Sequence, residues 1–98
     1  MITFKEINAI SSSYFDIIEK RVDFVVLKSK NTNHFWVIRK YVSQKYTSII
    51  VEHKHQASEQ YHVQQRWHPR DVKGAVRLIK AHDEFQLRGR KNVNKEVL

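Results

Sequence analysis

Between Val22 and Trp67 the apolar residues recur mostly at every second position, and β-branched side chains dominate. Side chains of a strand point to opposite faces in turn, so this alternation commits the middle of the chain to a sheet. Four runs carry it. Val22, Phe24 and Val26 alternate with Asp23, Val25 and Leu27. From His34 to Val42, Trp36 and Ile38 share one face, and Phe35, Val37 and Tyr41 the other. Tyr46 to His53 carries Ile49, Ile50 and Val51. Tyr61, Val63, Gln65 and Trp67 alternate with His62, Gln64 and Arg66, the cleanest one-sided pattern. The connections Lys30–Asn33, Ser43–Lys45 and Gln56–Gln60 are short and polar, which predicts an antiparallel meander.

The two ends have a helical period. Phe4, Ile7, Ile10, Tyr14, Ile17 and Ile18 recur at steps of three and four, predicting a helix over residues 3–20. Thr3 with Glu6 has capping-box spacing. Ser11-Ser12-Ser13 disfavours a helix interior, so this segment reads as one kinked helix or two short ones. At the other end Pro69 and Asp71 open a helix whose buried stripe is Val72, Ala75, Val76, Ile79 and Phe85. The fold class is α+β: an N-terminal helix, a four-stranded antiparallel meander and a C-terminal helix. Both helices pack on one sheet face and leave the other at least partly in solvent. Residues 1–87 form the single domain, and residues 88–98 a basic, flexible tail.

Composition narrows the class. Ninety-eight residues suit one domain, and no cysteine means no disulfide framework and no Cys-ligated zinc. The longest apolar runs are far shorter than the roughly 20 residues of a membrane span. The N-terminus lacks the basic-then-apolar build-up of a secretory signal. The expectation is a soluble cytoplasmic protein without membrane contact.

The formal charge is +8. Residues 66–98 hold nine basic and four acidic side chains, a local +5, whereas residues 1–20 sum to −1. Lys73, Arg77 and Lys80 are spaced to share a helix face. With Arg66, Arg70, Arg88, Arg90 and Lys91 they form a candidate phosphate-binding surface. Phosphate contacts of this kind are salt-sensitive and indifferent to base sequence. A solvated helix face has the same pattern. A second surface could lie on the sheet. Trp36 shares a strand face with Lys40, and Phe35 with Arg39 and Tyr41; single-strand binders interleave rings and cations in this way. Burial in the core is the favoured reading for most of these aromatics.

Six histidines raise the question of chemistry. His53 and His55 have the spacing of metal-binding His-x-His pairs. Convincing acidic partners are missing at nearby positions, so no metal and no cofactor is assigned. His53, His55, His62, Arg39 and Arg66 could serve a metal-independent RNase, with histidine as acid or base and arginine stabilising charge on phosphorus. The layout is similar in outline to small basic bacterial RNases of the toxin type. The order of elements also resembles that of double-stranded-RNA-binding domains. Arg70 and Lys73 stand loosely at their basic helix start, and Gly74-Ala75 in place of their small-residue run. The Gly-Pro and His loop motif of that family is absent here. Layout alone is analogy and assigns no function.

The sequence thus points to a small nucleic-acid-binding protein of bacterial or phage type, not an enzyme, that contacts DNA or RNA non-specifically. The same surface would suit a protein-interaction module docking an acidic partner, and the RNase ranks third. An exposed edge or open face leaves room for a homodimer.

Overall fold

The computed structural model describes the backbone of residues 1–97 and the side chains of residues 1–89. The elements are α1 (Phe4–Asn8), β1 (Phe15–Lys20), β2 (Phe24–Ser29), β3 (Phe35–Val42), β4 (Thr47–Lys54), β5 (His62–Val63) and α2 (Val72–Val97). The strands form one antiparallel sheet in chain order. The α+β class and the meander are as expected, with five strands in place of four.

The extra strand replaces most of the predicted N-terminal helix. The Thr3–Glu6 capping box is present, with both reciprocal hydrogen bonds made, but α1 ends at Asn8. The serines then take the backbone out of helix. The Ser11 carbonyl accepts from the Tyr14 and Phe15 amides, and the Ser11 and Ser13 hydroxyls bond each other at 2.8 Å. Beyond this turn, Ile17 fits a strand alternation with Phe15 as well as the helical stripe, and tertiary pairing with β2 decides for the strand. The register slips between Ile17 and Glu19, a bulge at Ile18.

The predicted fourth strand is also corrected. Only His62 and Val63 pair with β4, although the Gln64 amide still reaches the Val51 carbonyl at 2.8 Å. The chain then turns, with the Trp67 amide on the Gln64 carbonyl. A straight strand would leave Trp67 on the same face as Val63, which is half exposed. The turn instead stacks its indole on Trp36, with centroids 5.7 Å apart.

The turn before β3 forms as expected, with Asn33 in the left-handed region at φ 62°. One sheet face is covered. Val25, Leu27, Trp36, Ile38, Ile49 and Val51 from the strands meet Val72, Ala75 and Ile79 of α2, all buried. Ile7 of α1 packs against the same cluster, so both helices lie on this face. Asp71 opens α2 by accepting the Gly74 amide at 2.7 Å. Phe85 does not join the buried stripe; it is 68% exposed, and Asp83, fully buried, takes the next inward position after Ile79. Residues Ile79 and Asp83 stand four apart, whereas Phe85 is off that face. The helix backbone continues past residue 87, where the sequence places the end of the domain. The expected tail lies largely outside the described side chains.

Candidate nucleic-acid interface and histidine cluster

The basic surface begins in the loop after β5. Arg66 and Arg70 are exposed there, and Lys73 and Arg77 follow one helical turn apart on the outer side of α2. None of these four takes part in an ion pair among the described residues. The nearby acids are engaged elsewhere: Asp71 caps the helix and Asp83 is inside. Three other acids neutralise cations of the sheet and its turns. Asp16 pairs with Lys30 at 3.7 Å, Glu19 with Arg21 at 2.7 Å, and Glu52 with Arg39. Lys5 of α1 borders a shallow cleft with Lys73, whose acidic walls, Glu6 and Asp71, are both hydrogen-bonded.

Not every predicted phosphate contact joins this surface. Lys80 leans over the Tyr14 ring, 5.1 Å from its centroid, and Arg88 faces Glu84 at 3.7 Å. The side chains of Arg90 and Lys91 lie outside the described residues.

The sheet residues separate by face. Trp36 is fully buried, and its neighbour Lys40 is tied to Glu6 at 2.8 Å. Phe24, Phe35, Arg39, Tyr41, Lys54 and Tyr61 lie on the opposite, uncovered face. Three of the four rings, Tyr41 excepted, already carry cations: Arg39 sits 5.0 Å above Phe24, Lys28 and Lys54 lie 5.4 and 5.3 Å from Phe35, and Lys54 lies 4.4 Å from Tyr61. The aliphatic stems shield apolar surface while the charged heads stay in water. A stacking base would have to displace these contacts, so the sheet is the weaker candidate for a ligand surface.

The histidines gather on the covered side. His34 precedes β3, His53 points inward from β4, and His55 follows it. Register explains the meeting, because Trp36 opposes His53 and Phe35 opposes Lys54, which sets His34 beside His55. His53 Nε2 lies 3.0 Å from His34 Nδ1. The His34 and His55 rings stack at 4.3 Å, and Trp36 stacks on His53 at 3.9 Å. His82 of α2 presents its edge to Trp36 and His53. Burial, followed by the imidazoles of His82, His34, His55 and His62, pushes His53 down to about 3. Burial also lowers His82, against the opposing pull of Asp83. These rings are therefore neutral near pH 7.

The RNase set is brought together only in part: His53, His55 and His62 are neighbours, but the arginines do not join them on that face. Arg39 projects from the uncovered face and pairs with Glu52, while His53 projects from the covered one. His62 opposes His53 in the ladder but is exposed, and Arg66 lies beyond the turn.

Sequence reasoning missed Asp83 and His34. The buried Asp83 carboxylate accepts from Tyr14 at 2.8 Å, Ser29 at 2.6 Å and Thr32 at 3.1 Å. Ser29 in turn accepts from the Trp36 indole at 3.1 Å. Burial and the Asp83 bond push the Tyr14 phenol up to about 12.

No family model, curated protein or solved structure matches this chain. Among the described residues no helix is long and apolar enough to cross a membrane.

Proposed function

We propose that the protein binds nucleic acid non-enzymatically, through phosphates, along the outer side of α2 and the loop leading into it. One observation carries this reading. Arg66, Arg70, Lys73 and Arg77 are exposed without acidic partners among the described residues, while the acids closest in sequence cap the helix or lie in the core. An unneutralised row of cations attracts phosphates and releases their counterions on binding. Backbone contacts of this type position a protein on a polymer without reading bases.

Fluorescence anisotropy with labelled duplex DNA, duplex RNA and single strands, each at two salt concentrations, tests the reading. Binding should weaken steeply with salt and depend little on sequence. No binding at low salt overturns it. A stoichiometric protein partner that survives nuclease treatment would instead favour docking to an acidic protein through the same surface.

A further inference from the structure

We propose that His34, His53 and His55 form a binding site for one zinc ion. The imidazole nitrogens available for ligation, one per residue, all lie within 4.8 Å of one another. Two Zn–N bonds of about 2.0–2.1 Å at the tetrahedral angle hold their nitrogens about 3.3 Å apart. His53 Nε2 and His34 Nδ1 already stand 3.0 Å apart, so a few tenths of an ångström open that pair to the required span. His55 lies past the end of β4 and is exposed, so its ring, which stacks on His34 at 4.3 Å, has room to turn toward the pair.

The surroundings suit the first two ligands. Trp36 stacks on His53 at 3.9 Å and fixes the plane of its ring. On the far side of that ring the Gln64 amide lies 3.4 Å from Nδ1. With its carbonyl turned inward, Gln64 would accept the Nδ1–H and leave the Nε2 lone pair for the metal. His34 is set by its backbone: its amide donates to Thr32 Oγ1 and its carbonyl accepts the Ser29 amide. Three imidazoles and no carboxylate favour zinc over magnesium, calcium or manganese, which prefer oxygen. Three protein ligands leave the fourth tetrahedral position to water, on the exposed His55 side.

The test uses the full chain without an affinity tag, stripped of metal by a chelator. Calorimetric titration with Zn²⁺ should give one ion per chain at micromolar concentration or below. Co²⁺ in its place should give the visible absorption of a tetrahedral nitrogen site. His55→Ala changes an exposed side chain and should fold, yet bind at least about tenfold more weakly. His68→Ala, an exposed histidine on the loop before α2, should bind as the parent does. Absence of saturable one-to-one binding overturns the site. So does unchanged affinity in His55→Ala, or an equal loss in His68→Ala, which would mean diffuse chelation by surface histidines.

Discussion

Ser29 donates its hydroxyl to Asp83 Oδ2 at 2.6 Å, joining β2 to α2 across 54 positions of sequence. The same carboxylate gathers Tyr14 and Thr32, so one inward acid ties the turn before β1, the end of β2 and the turn before β3 to a single helix. Asp83→Ala would strand these donors in or near the core. Hydrogen bonds to a charged group contribute about 1.5–3 kcal/mol each, so the variant should lose about 3 kcal/mol or more in urea unfolding. Ser29→Ala should lose about 1.5 kcal/mol, because it also orphans the Trp36 indole N–H. Parent-like stability of Asp83→Ala would show that the carboxylate pins nothing.

The imidazole cluster gives a pH dependence with a definite sign. An unfolded histidine gains a proton near pH 6.5, whereas His53 in the folded chain resists protonation down to about 3. Between these values the unfolded chain binds more protons, so stability falls as pH falls. His82 on α2 acts in the same direction. In chelator, the urea midpoint should decline steadily from pH 6.5 to about pH 5, before most carboxylates titrate. A flat profile over that interval contradicts the burial of neutral imidazoles.

Salt dependence distinguishes the two basic surfaces. Lys73→Ala and Arg77→Ala should each lower the slope of log affinity against log salt by about 0.9 on duplex DNA. Lys54→Ala, on the uncovered sheet face, should leave the slope unchanged. Equal effects from all three substitutions would mean that net charge, and not α2, governs binding.

His82 Nδ1 is buried without a hydrogen-bond partner among the described residues. Leaving such an atom unsatisfied costs about 1–3 kcal/mol, so His82→Leu, similar in size and apolar, should equal or exceed the parent in stability. A marked drop in the thermal midpoint would mean that the edge contacts to Trp36 and Trp67 matter more than the stranded nitrogen.

The sheet centre was legible because alternation and burial agree there. Trp36 and Ile38 sit inward, and the turn at Asn33 takes the conformation asparagine tolerates. The first twenty residues were misread because Ile17 satisfies both the helical stripe and a strand alternation with Phe15, and only pairing with β2 separates the two. Trp67 continued a perfect alternation, yet its gain from stacking on Trp36 lay in tertiary structure. Asp83 was recoverable in principle, as the step of four after Ile79 points inward. A charged residue there looks like the end of the stripe unless its hydroxyl donors, distant in sequence, are known. The histidine cluster required the β3–β4 register, since His34 meets His55 only when Trp36 opposes His53.

The two margins of the sheet share a property. One border strand carries the irregularity at Ile18, and the other pairs over just two residues. Unpaired backbone groups along a long, flat border invite another chain to extend the ladder, and bulges and short edges remove that invitation. Two copies of this chain brought border to border would therefore find little ladder to zip together at these two strands.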